Sequence, residues 1–295
     1  MFSPMRGRLE ALAAACLFST GGAAIKATAL TNWQVACFRC GVAALAIAAL
    51  LPASRRNWNR HVPRAAICYA ATLTLFVLAT KLTTAANAIF LQSTAPLYLM
   101  LAGPWLLGER NRKVDYALMA MLAAGLWCFF AGEETPTRIA PNPALGNLLA
   151  AITGMTWAGT VAGLRWMQRR YAGIEVGMPT ILCGNLMVFA FCLGPALPVK
   201  EARALDWALI GYLGLIQIGL AYVLLTRAVK RLPALEVSML LLSEPALNPV
   251  WTWLLHGETP SRWAMGGGVL VLGATLARLF AREQRPAAPA TASAS

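Results

Sequence analysis

Charged residues are scarce in this chain of 295 residues. Asp, Glu, Lys and Arg make up only 13% of it, whereas soluble globular proteins carry about 25%. Hydrophobic residues make up 58%, and the mean hydropathy is +0.59. This composition excludes an ordinary soluble domain, whose surface requires more charge.

Residues that carry enzyme chemistry are also few. The two histidines, His61 and His256, form no H-E-x-x-H zinc pair, and no two aspartates lie together inside an apolar run. All seven cysteines fall within apolar runs, and the C-x-x-C of Cys37 and Cys40 has no second Cys or His pair beside it. The sequence therefore disfavours an intramembrane enzyme, and we expect no metal ion and no cofactor.

Long apolar runs are what the sequence has in quantity. A helix needs about 20 apolar residues to cross a hydrocarbon core of about 30 Å. The runs lack the alternation of barrel strands, and lipid-exposed backbone must satisfy its own hydrogen bonds. We therefore predict an all-α, polytopic membrane protein with ten transmembrane helices, joined by loops too short to hold a soluble domain. The predicted spans are 9–30, 33–52, 65–82, 84–107, 114–132, 144–164, 173–194, 205–226, 233–255 and 262–280.

The basic residues are unevenly placed. Most of the 25 Lys and Arg lie near the amino terminus, in alternate loops and after the last span. Because cytoplasmic loops are enriched in Lys and Arg, we expect a multi-pass protein of the inner membrane with both termini in the cytoplasm. This bias, with attraction to the anionic head groups of the lipid bilayer, explains the net charge of +13, so we expect no nucleic-acid partner.

The second half of the chain repeats the first at an offset of 149 residues. Residues 79–109 align with 228–258 without a gap, and both copies place a proline twelve residues before the glycine of a Gly-Glu pair. Each half contains five predicted spans, an odd number, so the second copy enters the membrane from the opposite side. Such inverted repeats characterise many secondary transporters, whose substrate sites lie near the midplane between the halves.

Short motifs accompany this repeat. They are Phe18-Ser19-Thr20-Gly21-Gly22 with Lys26, Arg39, Thr83–Asn87 leading into Ser93-Thr94-Ala95-Pro96-Leu97, Leu107-Gly108-Glu109-Arg110, Ser243-Glu244-Pro245-Ala246, and His256-Gly257-Glu258. Together with the ten spans, they resemble the drug/metabolite transporter superfamily and, within it, the EamA-type proteins with two tandem five-span units. The resemblance implies transport of small metabolites, commonly amino acids and related compounds, through a central cavity. Span 7 has no counterpart to Arg39, which leaves the charge preference for the substrate open.

The resemblance and the repeat together divide the chain into five parts. We expect a cytoplasmic amino terminus (1–8), a first five-helix unit (9–132), an external linker (133–143), a second five-helix unit (144–281) and a disordered cytoplasmic tail (282–295).

Glu244 is the sharpest candidate for a substrate-binding residue. It lies near the middle of its span, where a charged side chain costs about 2.5–3.5 kcal/mol or more, so it must face the interior of the bundle. Pro245 removes a backbone donor, which predicts a free carbonyl one turn earlier and a helix break. Asn248 is four residues on and shares the Glu244 face. Glu244 can bind substrate, exchange a proton or balance a charge, and the alternative is a neutral structural carboxyl.

Uncharged polar residues extend this candidate site. The repeat places Pro96 beside the position equivalent to Glu244, so span 4 is expected to contain a second helix break. Gln92 and Ser93 lie nearest that break, Asn87 is placed at an entrance, and Gln217 lies at mid-depth in span 8. Each of these four either lines the site or bridges two helices, a contact worth about 0.6 kcal/mol.

Three cations and two aromatic residues complete the candidates. Lys26 and Lys81 lie toward the external side, where snorkelling to the interface is the simpler interpretation. Arg39 is deeper and needs a carboxylate, helix-end carbonyls or an anionic substrate group, with a structural partner favoured. Trp157 and Tyr222 are expected to form cavity walls, with helix packing as the alternative.

The sequence therefore predicts a secondary transporter that exports small metabolites, such as amino acids, by alternating access. Export rather than import is implied by the resemblance alone. The first alternative is a passive facilitator or channel for small solutes. The second, which the sequence favours less, is a membrane-embedded accessory subunit or enzyme. The expected partners are a small-molecule substrate, the lipid bilayer and protons coupled through Glu244, and the expected state is a monomer or a weak homodimer.

Overall fold

The computed structural model describes residues 4–106, 113–131, 136–241, 243–257 and 260–283, and within these ranges the chain is helical and contains no strand. The all-α prediction is confirmed. The helices are α1 (Pro4–Ser19), α2 (Gly21–Ala27), α3 (Asn32–Leu50), α4 (His61–Leu82), α5 (Ala85–Gln92), α6 (Ala95–Leu106), α7 (Lys113–Ala131), α8 (Pro143–Arg170), α9 (Gly177–Ala196), α10 (Ala204–Tyr212), α11 (Ala221–Arg231), α12 (Ala234–Leu240), α13 (Ser243–His256) and α14 (Arg262–Glu283). A 3-10 helix, Pro52–Arg55, follows α3, and a π-helical segment, Leu213–Leu220, joins α10 to α11.

Some of the predicted features lie outside the described residues. They are Gly108, Glu109 and Glu258 of the repeated motif, 133–135 of the linker and 284–295 of the tail.

Among the residues that the structure describes, six helical stretches are long and apolar enough to cross a membrane. They are Met5–Ala27, Asn32–Leu50, His61–Leu82, Ala85–Gly103, Gly177–Ala196 and Ala204–Arg231, and a shorter apolar helix covers Tyr116–Cys128. The predicted spans 144–164, 233–255 and 262–280 lie on α8, on α12 with α13, and on α14. Helix α8 contains hydroxyl side chains that form hydrogen bonds to α4. Thr72 of α4, for example, donates to Thr156 of α8 at 2.9 Å.

Four of the predicted spans are irregular helices. Span 1 is interrupted at Thr20, span 4 between α5 and α6, and span 9 between α12 and α13, while span 8 contains the π-helical segment. Pro96 and Pro245 follow their interruptions and lie in the first turns of α6 and α13, where a missing N–H needs no partner. The predicted free carbonyl before Pro245 is wrong, since Leu241 O accepts the backbone N–H of Glu244 at 3.0 Å.

The contacts between helices are related in pairs. Helix α4 packs against α8 in the way that α11, its counterpart in the second half, packs against α1. Helix α9 is the counterpart of α3, and the π-helical segment belongs to the counterpart of α4. The contact of α4 with α9 is therefore matched by the contact of α3 with the π-helical segment. Two further contacts, α3–α9 and α7–α14, join a helix to its own counterpart. An approximate twofold relation between the halves produces this exchange.

Two glycines show the same relation at the level of atoms. A Cβ on Gly7 would lie 3.1 Å from Arg231 Cβ and 3.1 Å from Leu232 Cγ, and a Cβ on Gly146 would lie 2.6 Å from Thr83 Cβ and 3.0 Å from the Leu82 carbonyl carbon. Leu82 and Thr83 precede Arg231 and Leu232 by the repeat offset of 149 residues. The first helix of each half therefore packs through a glycine against equivalent residues of the other half.

We expect Gly146→Ala to destabilise the protein. The added methyl group would meet the backbone nitrogen of Thr83 at 2.7 Å, and overpacking of this kind costs about 1–3 kcal/mol. Gly211→Ala is the matched control, since no heavy atom lies within 4 Å of its Cβ position and alanine favours the helix by up to about 1 kcal/mol. Thermal unfolding in detergent should show a lower Tm for Gly146→Ala alone; equal Tm values for both variants would contradict this packing.

Candidate substrate-binding cavity

A narrow cavity with a volume of about 30 Å³ lies between the two halves of the bundle. This space holds about one or two water molecules, so a larger solute requires the walls to move apart. Both halves supply its walls, through α1, α3, α4 and α5 from the first and α8, the π-helical segment, α11 and α13 from the second. The lining residues are Phe18, Arg39, Thr72, Leu73, Phe76, Gln92, Trp157, Gln217, Tyr222 and Glu244.

Glu244 is the acidic side chain of this cavity. It is the second residue of α13 and is only 6% exposed. Its carboxyl group makes no hydrogen bond or ion pair with any other described residue. It also lines a smaller adjoining cavity of about 10 Å³, whose wall includes Ser93, Pro96 and Ser238. A buried carboxyl without a protein partner is left to bind a ligand, a proton or water, because its desolvation is otherwise uncompensated.

Arg39 is the basic side chain of the same cavity. It is 1% exposed, and its Nη2 donates to Leu73 O of α4 at 2.9 Å. The expectation of a structural partner for Arg39 is therefore met by a helix carbonyl. Its Nε has no hydrogen-bond partner. One side of the guanidinium joins α3 to α4, while the other retains a donor for an anionic group.

Two glutamines add neutral acceptors to the wall. The side-chain oxygens of Gln92 and Gln217 are buried and have no hydrogen-bond partner. Gln217 lies on the π-helical segment, a feature frequent at functional sites, and its amide packs where a Cβ on Gly21 would come within 2.7 Å. The lack of a side chain at Gly21 therefore makes room for Gln217 at the cavity.

Aromatic rings form the remaining wall. Phe18 meets Tyr222 edge-on with ring centroids 5.0 Å apart, and each lies 6.2 Å from Trp157. Tyr222 also meets Tyr69 at 4.8 Å. Tyr222 interacts electrostatically with both Glu244 and Arg39. The two predicted aromatic residues, Trp157 and Tyr222, thus pack together and line the cavity at once.

Asn248 and Ser93 have local roles beside the cavity. Asn248 donates to Ser19 O at 3.0 Å, where the α1–α2 interruption leaves a carbonyl available. Ser93 donates to Ile89 O at 2.6 Å and lines the adjoining cavity. Asn248 therefore supports the interrupted helix, although its side-chain oxygen remains without a partner.

Asn87 lies at a helix interface. It is fully buried, and its amide donates to Asn147 Oδ1 at 3.3 Å, the same oxygen that accepts the Thr83 hydroxyl at 2.7 Å. Asn147 belongs to α8, so this cluster joins the two halves. Asn87 therefore bridges two helices at this end of the bundle, through polar partners that a single span cannot show.

Lys26 and Lys81 each bind a backbone carbonyl at a helix end. Lys26 Nζ donates to Thr83 O at 2.9 Å and to Ile139 O at 2.7 Å. Lys81 Nζ donates to Thr28 O at 2.8 Å. Thr83 and Thr28 are the carboxyl-terminal caps of α4 and α2, so each lysine binds the end of the other's helix. The last carbonyls of a helix have no intrahelical donor, which favours this exchange.

Thr72 and Leu73 are wall residues that the sequence does not identify. The sequence of their helix, α4, is that of an ordinary apolar span. Thr72, four residues before Phe76, is one of several threonines in it and does not stand out. The wall forms because α4 packs against α8 and α9 of the other half, which a pattern within one span cannot reveal.

Comparisons with known proteins agree with this architecture. The EamA-like transporter family matches the chain twice, over residues 5–131 and 144–279. The pseudopaline exporter CntI of Pseudomonas aeruginosa is 24% identical over 192 residues, which cover 65% of this chain and 65% of that protein. The threonine/homoserine exporter RhtA of Escherichia coli is 26% identical over 189 residues, covering 63% of this chain and 59% of that protein. The aligned part thus spans less than two thirds of the length of either exporter.

A solved crystal structure has the same fold. It aligns with a TM-score of 0.67 at 21% identity and covers 96% of this chain and 100% of its own. The two family matches account for most of the chain, so this multi-pass membrane protein belongs to the EamA-like transporter family of the drug/metabolite transporter superfamily.

Proposed function

We propose that the protein exports small zwitterionic metabolites, amino acids among them, by alternating access across the inner membrane. One observation carries the proposal: a buried carboxyl group and a buried guanidinium group, Glu244 and Arg39, line the same cavity, and neither makes an ion pair with a described residue. Opposite charges kept apart in an apolar bundle favour a ligand that carries both charges itself.

The groups around the cavity suit the two ends of an amino acid. An α-carboxylate accepts hydrogen bonds from a guanidinium, and these bonds are stronger than neutral ones. An α-ammonium offers three donors, which the carboxylate of Glu244 and the free oxygens of Gln92 and Gln217 can accept. The aromatic wall of Phe18, Trp157 and Tyr222 leaves apolar surface for the side chain.

Different observations support the direction of transport and the orientation of the chain in the membrane. Both relatives are named exporters, of pseudopaline and of threonine and homoserine. The Lys and Arg residues concentrate at the side of the termini, which favours a cytoplasmic location for that side. We therefore propose that substrate enters the cavity from the end of the bundle that contains the start of α1.

Contacts at both ends of the cavity favour a carrier over an open pore. At one end, Arg8 of α1 bonds Glu236 of α12 at 3.0 Å. At the other, Asn147 of α8 bonds Thr83 and Asn87. Each contact joins the two halves, so access from either side requires the halves to separate there.

Glu244→Gln should nearly abolish transport. The substitution keeps the shape of the side chain and removes its charge, and a hydrogen bond to a charged group is worth about 1.5–3 kcal/mol, or about 10- to 100-fold. We expect the initial rate of L-threonine counterflow in proteoliposomes to fall by that factor and to lose its dependence on pH. Glu201→Gln, at an exposed loop carboxylate, is the matched control and should stay within about twofold of wild type; a wild-type rate for Glu244→Gln would remove this residue from the mechanism.

A ligand without a carboxylate tests whether Arg39 binds the carboxylate of the substrate. L-threoninol keeps the ammonium group and the side chain of threonine but lacks its carboxylate. We expect it to compete with L-threonine about 10- to 100-fold more weakly in wild type, because it loses a charge-assisted hydrogen bond. In Arg39→Lys this preference should shrink, since lysine keeps the charge but loses the planar donor pair. Equal competition by the two compounds in wild type would contradict a carboxylate at Arg39.

A further inference from the structure

The two ends of the cavity are closed by equivalent residues with different chemistry. Glu236 follows Asn87 by the repeat offset of 149 residues. Arg8 and Asn147 each follow one of the equivalent glycines, Gly7 and Gly146. The pair Arg8–Glu236 therefore occupies the place at one end that the pair Asn147–Asn87 occupies at the other.

Charged side chains close the first end, here called the amino-terminal gate and consisting of Arg8, Glu10, Arg231 and Glu236. Arg8 Nε bonds Glu236 at 3.0 Å, and Arg231 bonds Glu10. Glu10 and Glu236 are 8% and 15% exposed, whereas Arg8 is 44% exposed. Both ion pairs join the first half to the second. Arg8–Glu236 is partly open to solvent, whereas Arg231, at 14% exposed, and Glu10 are largely buried.

Neutral side chains close the other end, here called the linker gate and consisting of Thr83, Asn87 and Asn147. All three are at most 4% exposed and bond one another through hydroxyl and amide groups. The cations Lys26 and Lys81 beside them bind carbonyl oxygens. The nearby carboxylate of Asp206 pairs with Arg203 of its own half and accepts the Ala29 N–H of the other. The contacts that join Thr83, Asn87 and Asn147 across the two halves are hydrogen bonds between neutral groups.

We propose that the amino-terminal gate is an electrostatic gate whose closure depends on ionic strength, and that the linker gate is its neutral counterpart. Dissolved salt screens partly exposed charges over about 8–10 Å, which weakens Arg8–Glu236 most, affects the largely buried Arg231–Glu10 pair less, and leaves buried amide hydrogen bonds largely unchanged. Rising ionic strength therefore shifts the protein toward the form that is open at the amino-terminal gate. The inference rests on the proposed function only in taking the cavity as the transport site.

Thiol labelling tests this gate without a substrate. Thr72→Cys places a reactive group in the cavity wall, and a membrane-impermeant methanethiosulfonate is added to sealed vesicles of either orientation, which an amino-terminal tag identifies. The chain without Thr72→Cys reports labelling of the native cysteines. We expect added NaCl to accelerate labelling from the amino-terminal side and to leave labelling from the linker side within about twofold. Equal salt dependence from the two sides would overturn the proposal.

Variants of one ion pair sharpen the same test. In the Thr72→Cys background, Glu236→Gln should raise labelling from the amino-terminal side about 5- to 30-fold, between the effects expected for exposed and buried ion pairs. The reversed pair Arg8→Glu with Glu236→Arg restores the attraction and should return the rate to within about twofold of the background. Asn147→Ala is the matched change at the linker gate and should raise labelling from that side independently of salt.

The outcomes separate this proposal from the proposed function. Unchanged labelling in Glu236→Gln, or a reversed pair that labels as fast as Glu236→Gln, would overturn the electrostatic gate even if threonine is transported. Conversely, the expected labelling pattern without threonine counterflow would retain the gate and reject the substrate.

Discussion

The separation of two buried ionisable side chains is the constraint on which the rest of the structure depends. Glu244 and Arg39 are both almost completely buried, and desolvation of each is costly. Direct pairing would compensate them, but the structure gives Arg39 the carbonyl of Leu73 and leaves Glu244 without a protein partner. The cavity between them is the space in which a solute can supply the missing interactions.

In the proposed cycle, the twofold relation between the halves lets the cavity open to either side in turn. Each half presents its first helix to the third and fourth spans of the other, through Gly7 at one end and Gly146 at the other. Because the packing at the two ends is equivalent, the proposed one-side-open forms would be close in energy. The interruptions in spans 1, 4, 8 and 9 surround the cavity, where irregular backbone is tolerated because it is buried in protein.

The sequence predicts the helical architecture and much of the cavity, for identifiable reasons. Long apolar runs define helices in lipid regardless of their neighbours, and a carboxyl group in mid-span must face inward, so Glu244 is found from position alone. Gln92, Gln217, Trp157 and Tyr222 share the cavity wall with it, as expected from their depth.

Contacts between spans are what the sequence does not reveal. Asn87 binds Asn147, sixty residues away, and Lys26 and Lys81 bind the helix ends that face them. Gly21 and Gly22 follow the interruption at Thr20, and their lack of a side chain leaves room for Gln217 and Asn248 of the other half. In each case a partner from another span decides the outcome.

The central claim is that the two ends of the bundle open in turn around one cavity. Cysteine pairs at positions 8 and 236, or at 87 and 147, would permit a disulfide to hold either end closed, and exchange of labelled L-threonine in proteoliposomes reports the full cycle. The account predicts that either disulfide alone stops exchange and that reduction restores it. Exchange that continues with one end fully cross-linked would contradict alternating access.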